Sequence, residues 1–138
     1  METSILDAKQ LVETRLSLQY PSLKIAFENM QFTPPASQLY LETSFVISSP
    51  TDPVFTAGYH RETIIFNVFV VGMLNTGTGT ILQKALEVRD LFKKGTTLVK
   101  GGTKVHVLTT PRIAGTAKLG DRAATPVLIE LIVESYNY

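Results

Sequence analysis

The sequence predicts an α+β domain of the two-layer α/β kind: a mostly antiparallel, mixed sheet of about four to six strands with two helices packed on one face. Three observations predict it. Residues 62–72 are β-branched and aromatic almost throughout, the composition of a central strand buried on both faces. Two stretches, 4–20 and 80–95, place apolar residues at helical spacing. Residues 39–48 and 126–134 alternate apolar and polar with the period of a strand. No repeat, linker or composition shift divides the chain, so residues 1–138 are expected to form one domain.

Taken in order, Ser4 followed by Asp7 marks a helix start, an N-cap with an acid in the first turn. Ile5, Ala8, Val12 and Leu16 form its stripe, with Leu11 and Leu18 beside it. The helix should stop near Tyr20, because Pro21 pushes its predecessor out of the helical region. A short strand at 23–27 and a connector at 28–35, stiffened by Pro34 and Pro35, come next. In the strand at 39–48, Leu39, Leu41, Thr43, Phe45 and Ile47 share one face; Tyr40, Glu42, Ser44 and Val46 share the other.

The segment from Ser49 to His60 is long for a hairpin connection, and its Val54, Phe55 and Tyr59 are apolar groups that a solvated tip does not need. It reads as an arm that meets a partner. After the central strand, 74–79 is a glycine–threonine loop, and Thr80 with Gln83 matches a capping box. Ile81, Ala85, Val88 and Phe92 make the stripe of the second helix. Lys93 and Lys94 suit its C-terminal dipole, and Gly95 suits a left-handed C′ position.

Gly101-Gly102 joins strands at 96–100 and 103–108 as a two-residue hairpin. Residues 111–119 read as a further short strand or an irregular excursion, and 120–125 as loop. The closing strand, 126–134, turns Val127, Ile129, Leu131 and Val133 inward; Glu130 and Glu134 share the opposite face with Leu128 and Ile132.

Composition bounds the function classes. Hydrophobic content of 44% with 18% charged residues is that of a globular chain. A net charge of +1 gives no general attraction for nucleic acid. The longest apolar run, 64–72, is broken by Asn67 and falls far short of the roughly 20 residues of a spanning helix, so no membrane partner is expected. Glu2 and Asp7 occupy the start of the chain, where a secretory signal would be basic and then apolar. With no cysteine, disulfides and thiolate metal sites are excluded; a reducing compartment fits.

Catalytic signatures are absent. Gly77 and Gly79 precede a helix, but the Gly-Lys-Ser/Thr of a phosphate loop is missing, and Leu82 stands where a dinucleotide motif needs glycine. His60 and His106 lack partners at metal-ligand spacing. Only convergence with Asp52 or Asp121 in space would make a site of them. Glu130 and Glu134, about 13 Å apart along one strand, are too far apart for a carboxylate pair. No catalytic, cofactor or metal residue is assigned. Lys93, Lys94, Lys100 and Lys104 cluster in sequence, either as dipole compensation and edge protection or as a patch beside nucleic acid.

The N-terminal helix, Phe27-Glu28-Asn29, Phe32-Thr33-Pro34-Pro35, the proline-punctuated loop before an apolar strand, Gly77 and Gly79 opening a helix, Phe92-Lys93-Lys94-Gly95 and the hairpin beyond form a pattern. It resembles the tail terminators, or tail-completion proteins, of lambda-type long-tailed phages (siphophages). The resemblance implies a structural virion protein with no cofactor or catalytic residue. Such subunits assemble in the host cytoplasm as a hexameric ring at the head-proximal end of the tail. There they stop polymerisation of the tail tube protein and offer a surface to the head–tail connector, and DNA passes through the ring.

On this reading Asp52, Val54, Phe55, Tyr59, Arg61, Tyr136 and Tyr138 are candidates for contacts with neighbours, since tyrosine and arginine favour interfaces. Lys93, Lys94, Lys100 and Lys104 are candidates to line the pore. Two alternatives stand beside it: another head–tail connector or neck protein of similar size, and a small ligand-binding or enzymatic domain built on the histidines and aspartates above.

Overall fold

The computed structural model describes residues 4–27, 33, 38–47, 59–73, 79–120 and 122–136. Its elements are α1 (Ser4–Gln19), β1 (Ile25–Ala26), β2 (Tyr40–Ile47), β3 (Tyr59–Met73), α2 (Gly79–Leu91), β4 (Thr97–Lys100), β5 (Thr103–Val107), β6 (Arg112–Ile113), β7 (Ala117–Leu119) and β8 (Arg122–Tyr136). They make one eight-stranded sheet in the order β1-β2-β3-β8-β5-β4, with β6 and β7 also pairing β8.

The expected two-layer α/β domain with four to six strands is therefore corrected. The chain folds as an eight-stranded sheet curled into a half-barrel, with two helices. The reason lies in β8. It is 15 residues long and pairs with β3 along its whole length, Tyr59↔Tyr136 through Met73↔Arg122. Its second edge is filled piecewise, by β5 at 131–135, by β6 at 127–128 and by β7 at 122–124. Residues 111–119 thus supply two short strands. The expected loop at 120–125 is instead a tight turn at Gly120 (φ 64°) followed by the first residues of β8. Strand twist accumulates along so long a central pair, and the sheet curls with it.

Two smaller corrections follow. β3 is central, between β2 and β8, but only one of its faces is buried along its length; the other is buried only at Val71, against Tyr40 and Ala124. Ile64, Phe66, Val68 and Val70 are 0% exposed, whereas Thr63 is exposed and Ile65, Asn67 and Phe69 are half-buried. The second helix begins at Gly79, so Thr80 lies in its first turn instead of capping it.

The main core forms where both helices meet the sheet. Ala8, Val12 and Leu16 of α1 and Ile81, Ala85 and Val88 of α2 pack with Phe92 against the even-numbered residues of β3 and Val127, Ile129, Leu131 and Val133 of β8. Each fully buried aliphatic or aromatic side chain contributes about 1.5–3 kcal/mol. Phe66 anchors the middle, stacked on Phe45 at 4.8 Å and edge-on to Phe92 at 5.8 Å.

The helices are tied by Arg15, whose Nε donates to the Leu91 carbonyl at 2.9 Å while its guanidinium lies over the Phe92 ring. A cation at the C-terminus of α2 opposes the helix dipole. Gly95 (φ 89°) turns the chain out of α2, and Gly101 (φ 58°) makes the β4–β5 hairpin.

Candidate functional site

The β3–β8 register brings the middle of the sequence against its last strand. Tyr59, His60 and Arg61 stand opposite Tyr136, Ser135 and Glu134. The β4–β5 hairpin closes on the same end, with Lys104 opposite Glu134 and His106 opposite Ile132. On the face away from the helices this makes one charged cluster centred on Glu134. An Arg61 Nη2 lies 3.6 Å from Glu134 Oε1, and His106 Nε2 lies 3.8 Å from Glu134 Oε2. The second imidazole nitrogen of His106, Nδ1, is 3.1 Å from the Thr97 hydroxyl. The histidine is thus held between a hydroxyl and a carboxylate on a partly exposed sheet face. It has no second histidine or carboxylate arranged for metal binding. Among the described residues no group of three or more His, Cys, Asp or Glu could hold a metal ion.

The other interface candidates divide cleanly. Tyr59 and Tyr136 are cross-strand neighbours at the rim of this cluster. Asp52, Val54, Phe55 and Tyr138 lie outside the described residues, as does Asp121, which the enzymatic alternative required.

The four lysines are not gathered. Lys93 and Lys94 follow α2 and are exposed. Lys100 reaches back across the helical face of the sheet to α1, bonding to Gln10 and lying 3.9 Å from Asp7. Asp7 also accepts a hydrogen bond from the Thr103 hydroxyl at 3.1 Å, which pins the start of α1 to the hairpin. Lys104 leaves the opposite face of the sheet, facing Glu134. Two-residue hairpin geometry explains the split. Lys100 pairs with Thr103 and shares its face, so Lys104 must point the other way.

Two surface features go beyond the sequence reading. A groove of about 570 Å³ runs between α1, the end of α2 and β4, with Leu11, Leu18, Leu91 and Leu98 along its walls and Arg15 and Lys100 at its polar side. Leu18 is 76% exposed there. A second depression, on the helix-free face, has Ile65 and Leu128 as its floor, with Arg112 and Glu130 beside them. That face is half-apolar along its length: Ile65, Phe69, Leu128 and Ile132 are half-buried and Val46 is exposed. The parity of Leu128 and Ile132 with Glu130 and Glu134 is the sequence signal for it.

No helix among the described residues is long and apolar enough to cross a membrane. The arrangement offers mixed apolar and charged surfaces.

No match is found among curated proteins. One solved structure is 26% identical, with a TM-score of 0.77 over 100% of this chain and 99% of the other. The model of the family described as phage tail terminator protein matches residues 7–130, from the first turn of α1 to the middle of β8. The chain belongs to the phage tail terminator family.

Proposed function

We propose that the protein assembles as a head-to-tail ring, a hexamer, on the head-proximal end of the tail tube, stops tube polymerisation there, and presents its free side to the head–tail connector. The family match over residues 7–130 carries this reading. The geometry supports it in kind. The β3–β8 register sets residues 59–61 against 134–136 at one end of the sheet, where Arg61, His106 and Glu134 form a charged cluster suited to a neighbour's surface. No chemistry is assigned to the protein; its work is done by surface complementarity.

Asp52, Val54, Phe55, Tyr59, Arg61, Tyr136 and Tyr138 are proposed contacts in this assembly. If DNA passes through the ring, repeated lysines moderate its charge even though each chain is near neutral. Lys100 and Lys104 leave opposite faces of the sheet, so at most one of them faces the pore directly.

The test is an elongation assay. Purified protein is added to polymerising tail tube protein, and tube lengths are measured by electron microscopy. Arrested, end-decorated tubes support the proposal. Unchanged tube growth, with binding to isolated connector rings instead, assigns the protein to the neck.

A further inference from the structure

Resting on the ring reading, we infer that the outer edge of β4 in one copy pairs in parallel with the β2 edge of the next, so that the sheet runs on from subunit to subunit. The Val107 N–H donates to the Thr96 carbonyl at 2.9 Å, so Thr96, Leu98 and Lys100 turn their peptide groups toward β5. Alternation then turns those of Thr97 and Val99 outward. Val99 is 55% exposed, and β4 pairs with no strand but β5 among the described residues.

At the other end of the sheet, the Leu41 N–H donates to the Lys24 carbonyl at 3.0 Å, so the odd-numbered residues of β2 turn their peptide groups away from β3. Among the described residues the only strand on that edge is β1, which pairs with Leu41 and Glu42, while β2 runs on to Ile47. Val46 and Ile47, at 52% and 53%, are exposed. The chain thus has two unlike sheet edges, each carrying an exposed apolar residue, a combination that invites strand addition.

Direction and phase select how the edges meet. Successive antiparallel pairings from β2 through β3, β8 and β5 to β4 leave β2 and β4 running the same way. A rotation about an axis along the strands therefore brings β4 alongside the next copy's β2 in parallel. Val46 and Val99 both lie on the helix-free face. Setting Val99 opposite Val46 makes an apolar cross-strand pair and lets the Ile47 N–H donate to the Val99 carbonyl. A twofold β4–β4 pairing would close a dimer and leave the β2 edge bare. The heterologous pairing uses both edges and gives a closed ring when its rotation divides the full turn.

The absence of cysteine makes the test direct. Val46→Cys, Val99→Cys and the double variant are oxidised while assembled on tube ends. The double variant should give a ladder of covalent oligomers reversed by reductant, and an equal mixture of the single variants should give a dimer only. Efficient homodimers of Val99→Cys alone, or no cross-link in chains visibly seated on tube ends, overturn the inference.

Val99→Pro supplies a second arm, because it removes an outward N–H and no bond of the β4–β5 ladder. It should keep a melting temperature near that of the parent while losing capping at least tenfold. A Val99→Pro protein that caps normally refutes the edge pairing and leaves the terminator reading standing. An unsubstituted protein that never binds tube ends removes both.

Discussion

Gly72 offers a quantitative test of how α2 docks on the sheet. A β-carbon built there falls 2.9 Å from both Cγ1 and Cδ1 of Ile81, and Ile81 is only 2% exposed. Carbon–carbon contacts settle at about 3.5–4.0 Å, so Gly72→Ala forces an overlap of about 0.6–1.1 Å. Rotating the far methyl of Ile81 relieves Cδ1 but not Cγ1, so the helix or the strand must shift. Overpacking of this kind costs about 1–3 kcal/mol. The loss of unfolded-chain entropy on replacing glycine offsets about 0.4–1 kcal/mol of that, since Gly72 is not in the left-handed region.

The net expectation is a destabilisation of about 1–2 kcal/mol. Ile81→Ala alone should cost about 2–5 kcal/mol through the cavity it leaves. In the double variant the new methyl enters that cavity, so the combined loss should fall short of the sum by about 1–3 kcal/mol. Urea unfolding of the four proteins measures this through the midpoint at constant slope. A neutral or stabilising Gly72→Ala, or additivity within about 0.5 kcal/mol, would refute the close approach of α2 to β3.

Three further outcomes are expected. Tyr20 is 8% exposed and its buried hydroxyl has no hydrogen-bond partner; burial, then the charges of Glu87 and Asp90, push its phenol up to about 12. The neutral phenol is thus favoured in the folded state. Its contribution to stability is whole below the ordinary tyrosine range and is lost as pH rises toward that value. Tyr20→Phe should be neutral or slightly stabilising at pH 7 and should flatten the alkaline fall in stability; a steeper fall by denaturant titration would contradict this.

Gly95→Ala meets no atom within 4 Å but must adopt φ 89°, so it should cost about 1 kcal/mol in thermal unfolding through the backbone alone. Glu134→Gln removes the carboxylate charge that Arg61 and His106 share. It should cost up to about 1 kcal/mol, and the difference from the parent should shrink as salt is added.

Much of the fold can be read from residues at regular spacing. The stripes Ala8–Val12–Leu16 and Ile81–Ala85–Val88–Phe92 are buried as their periods require, and so is the inward row from Val127 to Val133. What escaped is structure made by pairing instead of by period. β6 and β7 are two and three residues long, too short to show any alternation. They exist because the long second edge of β8 has to be hydrogen-bonded. Counting them turns an expected small sheet into an eight-stranded, curled one.

The reading of β3 as buried on both faces followed its apolar content, yet Arg61, Thr63 and Asn67 already marked one face as wetter. The candidate site shows the same division. Sequence position suggested a lysine cluster, but the parity imposed by the Gly101-Gly102 turn sends Lys100 and Lys104 to opposite faces. The junction of 59–61 with 134–136 depends on the β3–β8 register, which no local pattern encodes. The groove beside Leu18 and the clasp of Arg15 on Leu91 likewise arise only when α1 and α2 pack together.

The central claim is that this protein acts by occupying tube ends in fixed number. The most direct measurement titrates it into elongating tail tubes of known end concentration and records the growth rate. A sharp arrest is expected at about six chains per tube end, the stoichiometry of a closed hexamer, independent of the total tube protein. Arrest that scales with total tube protein, or that one chain delivers to many ends in turn, would contradict it.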